Sequence, residues 1–287
     1  MPRIFVSGAT GTSGGATVRA LISRGADVVA GVRSLEKAGE LESLGATVKP
    51  FDMSDVAAMT ETMRGSEGLF LVTPVSERTA EMTRAMTAAA KAAGVRRIVK
   101  LSGLDIDIVP DLAMCRWHLD AEEAIKSSGL EWTFLRCNAF MQNFYNSAGS
   151  IREQGVYFSP FGNAPVAFVD AKDIGAAAAE ALLAEGHAGR IHSITGPRGI
   201  INDEIAALLG EVAGREVTCV LVTGEQLRQT LVTHGIPESV AAATAELLEY
   251  IATGKAGYAA PDLEQILGRP PRDFVQWTRE NAQVFRS

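Results

Sequence analysis

Near its amino terminus the chain reads Ile4-Phe5-Val6-Ser7-Gly8-Ala9-Thr10-Gly11-Thr12-Ser13-Gly14-Gly15, an apolar run that passes into a glycine-rich turn. A predicted helix follows the turn and ends near Gly25. In a dinucleotide-binding loop, the first glycine permits the tight turn, the second lets the backbone approach a pyrophosphate, and the third allows helix and strand to pack closely. Gly8, Gly11 and Gly14 have this spacing, so we expect the helix start to hold a pyrophosphate. An ordinary strand-to-helix turn is the alternative.

The first half of the chain alternates short apolar runs with helical stretches, which is typical of repeated βαβ units and a parallel sheet buried on both faces. One such helix is predicted at Glu77–Ala93, with Gly94 as its stop. These features predict an α/β fold, a Rossmann-type doubly wound parallel sheet with right-handed crossovers. Its predicted strands are Arg3–Ser7, Asp27–Val32, Thr47–Phe51, Gly68–Thr73, Arg97–Leu101 and Trp132–Leu135.

The composition of the chain changes after the sixth predicted strand, where Asn, Gly, Ser and aromatic residues become frequent and a mostly helical half follows. We therefore predict a dinucleotide-binding domain at residues 1–137. A smaller, mostly helical substrate-binding domain is predicted at residues 138–165 and 196–287. Residues 166–195 are predicted to return to the first domain as a helix and one more strand.

The residues after the second and third predicted strands indicate the cofactor. Arg33 stands where an acidic residue would bind the adenosine ribose of NAD(H), and a guanidinium pairs well with a 2′-phosphate. NADP(H) is therefore the favoured cofactor, with NAD(H) as the alternative. Lys37 is a second candidate cation and Asp52 a candidate contact for the adenine, although a solvated arginine and a helix cap are the bland interpretations of Arg33 and Asp52. The predicted cofactor-binding residues are Gly8, Thr10, Gly11, Thr12, Ser13, Gly14, Arg33, Lys37, Asp52 and Thr73.

The composition argues against several classes of protein. The 287 residues are 47% hydrophobic, enough for a substantial core. A formal net charge of −7 without a basic stripe predicts no nucleic-acid binding, and the absence of a long apolar run predicts no membrane span. The three cysteines, Cys115, Cys137 and Cys219, are odd in number and scattered, which favours a reducing cytoplasm and indicates no metal site.

Several later motifs follow the glycine-rich turn in a fixed order. They are Val32-Arg33-Ser34, Lys100-Leu101-Ser102-Gly103, His118-x-x-x-Glu122, Ser128–Arg136, Phe140-Met141-x-Asn143 and Gly268–Phe274. Together with Gly8–Gly14 they resemble the NmrA-like branch of the atypical short-chain dehydrogenase/reductases, close to its triphenylmethane dye reductases and NAD(P)H quinone oxidoreductases. The resemblance implies a dinucleotide-binding domain, a smaller C-terminal substrate domain and a cleft at the carboxyl ends of the strands.

The chain departs from the wider family at the catalytic acid. Ordinary short-chain dehydrogenases carry Tyr-x-x-x-Lys, in which the lysine lowers the pKa of the phenol that protonates an alkoxide. Here Met114 stands at the tyrosine position and His118 at the lysine position. Ketone reduction by the usual route is therefore not expected. The acceptor should instead be a planar conjugated compound, a quinone, an aromatic polyketide or a dye, which spreads the incoming charge.

Two residues are predicted to act on this acceptor. His118 is expected to bond the nicotinamide ribose or a substrate oxygen, and Ser102 to donate to the acceptor. A helix-face histidine bonded to Glu122, and a serine that caps a turn, are the alternatives. Aromatic residues after position 138 are predicted to line the substrate pocket, with a small apolar core as the alternative for each. The predicted substrate-binding residues are Asn138, Phe140, Met141, Phe144 and Tyr145.

These features predict an NAD(P)H-dependent oxidoreductase that transfers hydride to a small aromatic or quinone-like substrate. A non-catalytic NADP(H)-sensing regulatory protein of the NmrA type is one alternative, which the missing tyrosine favours. An auxiliary enzyme of aromatic secondary metabolism, including an oxygenase, is the other. The protein is expected to be cytoplasmic and either a monomer or a homodimer.

Overall fold

The computed structural model describes residues 1–286, apart from the side chain of Lys37. The strands are β1 Arg3–Val6, β2 Asp27–Val32, β3 Thr47–Pro50, β4 Gly68–Leu71, β5 Arg97–Gly103, β6 Glu131–Cys137, β7 Val156–Ser159, β8 Arg190–Ile194 and β9 Thr218–Leu221. The helices are α1 Thr12–Ser23, α2 Gly39–Ser43, α3 Val56–Met63, α4 Thr79–Ala93, α5 Ala113–Lys126, α6 Ala148–Gln154, α7 Ala171–Leu183, α8 Asn202–Ala213, α9 Gly224–Thr233, α10 Glu238–Ile251, α11 Asp262–Leu267, α12 Phe274–Glu280 and α13 Ala282–Phe285. Three 3₁₀ segments lie at Leu35–Lys37, Met141–Ser147 and Lys255–Gly257.

The main sheet has seven strands in the order β3-β2-β1-β4-β5-β6-β8. Its pairs from β3 to β6 are parallel, and Phe5 of β1, for example, lies between Val29 of β2 and Leu69 of β4. The chain proceeds outward from β1 to β3 and then crosses back to β4, so the sheet reverses direction between β1 and β4. Ligands of doubly wound sheets bind at the carboxyl ends of the strands beside this reversal. The predicted α/β doubly wound fold is confirmed.

Both faces of the sheet are covered by helices, which explains the nearly continuous apolar runs of its strands. Phe5 and its neighbours on one face pack against buried methionines, alanines and an isoleucine of α3, α4 and α5. On the other face, Ile4 and Gly68 lie beside Leu182 of α7. The charged residue Lys100 interrupts this apolar pattern in the middle of β5, where its side chain is only 1% exposed.

The chain forms two compact units. The first comprises residues 1–137, 171–193 and 265–268, and the second comprises residues 138–170, 194–264 and 269 onward. The second unit contains the two-stranded parallel sheet β7–β9 and an aromatic core. The cofactor-binding and substrate-binding roles predicted for the two parts stay predictions.

None of the helices in residues 1–286 combines the length and the apolar character that a membrane crossing requires.

Candidate functional site

The glycine-rich turn between β1 and α1 favours glycine for its conformation at one position and for its close packing at another. Gly8 has a φ of +60°, which favours glycine. A Cβ at Gly14 would lie 2.1 Å from the carbonyl oxygen of Gly8, and one at Gly11 would lie 3.2 Å from the same atom. The backbone of the turn therefore folds back on itself so closely that position 14 accepts only glycine.

The first turn of α1 is left open to a ligand. Gly11 is the N-cap and provides no side-chain hydrogen bond to the first-turn amides, and no acidic residue lies in that turn. Thr10, Gly11 and Thr12 are exposed, whereas Ser13 is buried. Amides at the positive end of a 12-residue helix attract anions. These open amides form a cradle that fits the pyrophosphate of a dinucleotide.

The other predicted cofactor residues follow neighbouring strands. Arg33 is exposed directly after β2, and Thr73 is partly buried two residues after β4. The carboxylate of Asp52 accepts hydrogen bonds from the backbone amide of Ser54 at 2.9 Å and from its hydroxyl at 2.8 Å, which lower the pKa of Asp52. Asp52 thus closes a turn, and its contact with adenine stays a prediction. The side chain of Lys37 lies outside the described residues.

A buried ion pair joins α5 to β6 beside the carboxyl end of β5. The fully buried carboxylate of Glu122 accepts hydrogen bonds from Arg136 Nε at 3.1 Å and from a terminal nitrogen of Arg136 at 2.8 Å. The hydroxyl of Ser102 donates to the same carboxylate at 2.7 Å. Arg136 also contacts Asp107 at 2.8 Å. Burial opposes the charge of Arg136, but its bonds to Glu122 and Asp107 outweigh burial and raise its pKa.

Beside this ion pair, Lys100 of β5 contacts His118 of α5. Lys100 Nζ donates to the carbonyl of Leu101 at 2.8 Å and lies 3.1 Å from His118 Nδ1. Burial lowers the pKa of Lys100 to about 8. Burial, and next the charge of Lys100, lower the pKa of His118 well below its ordinary value. At neutral pH the pair is therefore an ammonium beside a neutral imidazole.

In the second unit, several predicted substrate residues are occupied by internal contacts. Asn138 donates from Nδ2 to the carbonyl of Ala256 at 2.9 Å and accepts from the Ala139 amide at 2.8 Å. Met141 and Phe144 belong to the buried apolar core of this unit. The half-exposed Tyr145 stacks on a tryptophan of α12 and donates to a side-chain oxygen of Asn281, and Phe140 is partly buried.

The match to a known family covers nearly all of the chain. The sequence profile of the NmrA-like family matches residues 2–279. The chain belongs to the NmrA-like family. The resemblance noted in the sequence is thereby confirmed.

Two curated relatives of this NmrA-like protein are reductases. The NAD(P)H azoreductase of Xenophilus azovorans is 33% identical over 98% of this chain and 99% of that protein. The (4-alkanoyl-5-oxo-2,5-dihydrofuran-3-yl)methyl phosphate reductase of Streptomyces griseus is 36% identical, again over 98% and 99%. Among solved structures, the NADPH-dependent quinone oxidoreductase of Escherichia coli complexed with NADPH has a TM-score of 0.84 and 28% identity, covering 97% of this chain and 99% of that one.

The structure of this NmrA-like protein gives the two predicted catalytic residues different surroundings. The Ser102 hydroxyl is 4% exposed and its hydrogen is donated to Glu122, so a direct contact with an acceptor stays a prediction. His118 contacts Lys100, whereas the hydrogen bonds of Glu122 go to Ser102 and Arg136. The predicted substrate contacts of the second unit also stay predictions, although Met141 and Phe144 have the core environment that was their alternative.

Three residues of this cluster, Lys100, Glu122 and Arg136, were not among the predicted site residues, and Glu122 was named only as an alternative partner of His118. A signal for two of them was present, because Lys100 and Arg136 lie within or directly after runs that predict strands buried on both faces. A buried charge requires a partner, so each such residue points to an ion pair or to a functional group. Among residues 1–286, no group of three or more His, Cys, Asp or Glu side chains is placed to hold a metal ion.

Proposed function

We propose that this protein is an NADPH-dependent oxidoreductase that reduces a planar conjugated acceptor, a quinone or an azo or dye-like compound. The observation that carries the proposal is the turn at Gly8–Gly14. This turn begins α1 at the point where the sheet reverses direction, and it leaves no space for a Cβ at position 14. The relatives support it, because they are named for the reduction of azo compounds, of an oxo-dihydrofuran and of quinones.

The residues around this turn fit NADPH in two places. The pyrophosphate would bind to the first-turn amides of α1, and Arg33 would pair with the 2′-phosphate, which NAD(H) lacks. When bound, NADPH supplies the hydride, and the protein supplies the alignment and partial exclusion of water that hydride transfer requires.

The acceptor class follows from the residue at position 114. Reduction of an isolated ketone leaves a localised alkoxide, which needs a strong hydrogen-bond donor, and the thioether of Met114 has no proton to give. A conjugated acceptor spreads the negative charge over several atoms, so it tolerates this loss. A dinucleotide sensor without turnover is the second candidate, and the same methionine favours it.

A cytoplasmic location is part of the proposal. It is supported by the cysteines, because no disulfide joins any of the three in the described chain. A monomer and a homodimer both remain compatible with the proposal.

Turnover with defined acceptors tests the function. Purified protein is mixed with NADPH and a panel of quinones, azo dyes and cationic dyes, and cofactor absorbance is followed. We expect turnover in the wild type and in Gly149→Ala, whose Cβ meets nothing within 4 Å, but not in Gly11→Leu, whose side chain would enter the pyrophosphate cradle. Saturable NADPH binding without turnover on any acceptor would overturn the enzyme in favour of the sensor. No binding of NADPH would overturn both.

A further inference from the structure

We propose that Lys100 and His118 form a proton relay that replaces the missing tyrosine. In this relay His118 Nε2 donates its proton to the reduced acceptor, and Lys100 acts through His118 as a positioning and proton-supplying residue. The inference rests on the proposed function and assigns the acid of that reaction.

The contact between the two side chains fixes which nitrogen of His118 carries the proton. An ammonium has only donors, so the 3.1 Å approach of Lys100 Nζ makes Nδ1 the acceptor. A neutral imidazole then carries its hydrogen on Nε2. Lys100 is held in this position because it is fully buried in β5 and its second donor hydrogen bond goes to the Leu101 carbonyl. The result is a donor on His118 that does not depend on a charged imidazole.

The position of the pair in the sheet suits this role. Lys100 lies in the middle of β5, three residues before its carboxyl end at Gly103, and β5 is the strand next to β4 at the reversal of the sheet. His118 lies near Gly103, since a Cβ on that glycine would be 3.7 Å from His118 Cδ2. The pair is thus at the edge of the sheet where the fold places the ligand. His118 is partly exposed, whereas Lys100 is not.

The charges around Lys100 make it a ready proton donor. Glu122 of α5 favours its charged form, but that carboxylate is neutralised by its two hydrogen bonds from Arg136 of β6, and Arg136 itself opposes the ammonium. Besides His118, the remaining titratable neighbour is Cys137, which also favours the ammonium and whose own pKa is raised by burial. Burial therefore prevails over the favourable charges, and the ammonium gives up its proton more readily than an exposed lysine.

For a quinone acceptor, the relay accounts for every proton and electron. A quinone that accepts hydride from NADPH becomes a hydroquinone monoanion, and NADPH is oxidised to NADP⁺. The Nε2–H bond of His118 breaks as the O–H bond of the hydroquinone forms, while a proton moves from Lys100 Nζ to Nδ1. A solvent proton at Nε2 and the return of the Nδ1 proton to Lys100 restore the pair. The net reaction consumes one quinone, one NADPH and one proton.

Two acceptors with different proton requirements test the relay. A quinone needs a proton after hydride transfer, whereas a cationic triarylmethane dye becomes a neutral product by accepting hydride alone. We expect the ratio of quinone kcat to dye kcat to fall about 100-fold in His118→Gln and in Lys100→Met, the lower end of the range for general acid catalysis. The matched controls Lys91→Met and His234→Gln, both at exposed positions, should keep the wild-type ratio.

The pH profile separates the relay from a merely structural effect. Quinone kcat of the wild type should be level at neutral pH and fall above about pH 8, as Lys100 loses its proton. Lys100→Met should lack this break, and so should Lys100→Arg, because a guanidinium keeps its charge but does not give up a proton at these pH values. The dye profile should show no break near pH 8 in any of them. The same break in wild type and Lys100→Met would overturn the relay.

The outcomes distinguish failure of the relay from failure of the proposed function on which it rests. If the wild type reduces neither acceptor, the proposed function fails. If the wild type reduces both acceptors and the variants lose both in equal proportion, or lose neither, the function stands and the relay is wrong. A variant that fails to fold loses activity on both acceptors together, and its urea unfolding curve identifies it. If Lys100→Met fails in this way, the activities of Lys100→Arg and His118→Gln test the relay.

Discussion

At the scale of single residues, the buried ammonium of Lys100 has a measurable effect on stability. Its pKa is lowered from 10.5 to about 8 in the folded chain. Between these values the unfolded chain binds a proton that the folded chain has released, so the free energy of unfolding rises with pH. We expect wild type to gain about 2 kcal/mol relative to Lys100→Met between pH 7 and about pH 9.5. Urea unfolding of both proteins at the two pH values measures this, and a constant difference between them would contradict it.

Arg33 carries a prediction about cofactor choice. If its guanidinium pairs with the 2′-phosphate, Arg33→Gln should raise the Kd for NADPH about ten-fold or more and leave the Kd for NADH nearly unchanged, because a charged hydrogen bond contributes about 1.5 to 3 kcal/mol. Calorimetric titration with both nucleotides measures the effect. Arg64→Gln, an exposed arginine that follows α3, is the matched control. Equal weakening of NADPH and NADH by Arg33→Gln would refute the assignment.

Which single residues can be interpreted from sequence depends on whether their partners are local. Gly8, Gly11 and Gly14 act within one turn, so their spacing alone predicted the loop, and the structure adds the 2.1 Å approach that explains position 14. The partners of Lys100 and Glu122 come from other elements, at sequence separations of 18, 20 and 14 residues. Such pairings depend on how α5 lies over the sheet, which no spacing rule provides. For this reason the sequence analysis named Glu122 as an alternative hydrogen-bond partner of His118, whereas in the structure Glu122 accepts hydrogen bonds from Arg136.

At the scale of elements, the packing of α1 on α7 positions the turn that we propose binds the pyrophosphate. Gly175 of α7 lies so close to α1 that an added Cβ would be 2.5 Å from the carbonyl carbon of Ala16. Gly175→Ala should therefore push the helices apart, lower the free energy of unfolding by about 1 to 3 kcal/mol, and weaken NADPH binding as the α1 amides move. Gly149→Ala has open space around its Cβ and should be neutral or stabilising by up to about 1 kcal/mol.

Urea unfolding and NADPH titration of both glycine variants check this prediction. Equal stability of Gly175→Ala and Gly149→Ala would show that α1 and α7 adjust without cost. A helix in the returning segment, residues 166–195, was predicted and is observed at Ala171–Leu183. The reason for the glycine inside it was not predicted, since a glycine weakens a helix in isolation. Only the neighbouring backbone of α1 explains its presence.

At the scale of the whole molecule, alternation of strand and helix predicted double winding, whereas the strand order required the structure. The six early strands begin and end within two residues of their predicted bounds. The late strand β8 joins the main sheet next to β6. Apolar runs in the sequence could not predict which strand it would lie beside. Core aromatics of the second unit, such as Phe144 and Tyr157, were likewise ambiguous, because a pocket wall and an apolar core use the same residue types.

The proposed binding of NADPH to a turn in one unit leads to a prediction about how the whole chain unfolds. A ligand that binds only the folded state stabilises it by RT ln(1 + [L]/Kd), which is about 2.7 kcal/mol at 100 times Kd. NADPH at that ratio should stabilise the wild type by this amount, and should leave Gly11→Leu unchanged at the same concentration. If the two units unfold in separate transitions, only the transition of the unit that contains Gly8–Gly14 should move, because the free energy of binding is lost when that turn unfolds. Urea unfolding followed by circular dichroism measures both cases, and an equal shift in Gly11→Leu would place the nucleotide elsewhere.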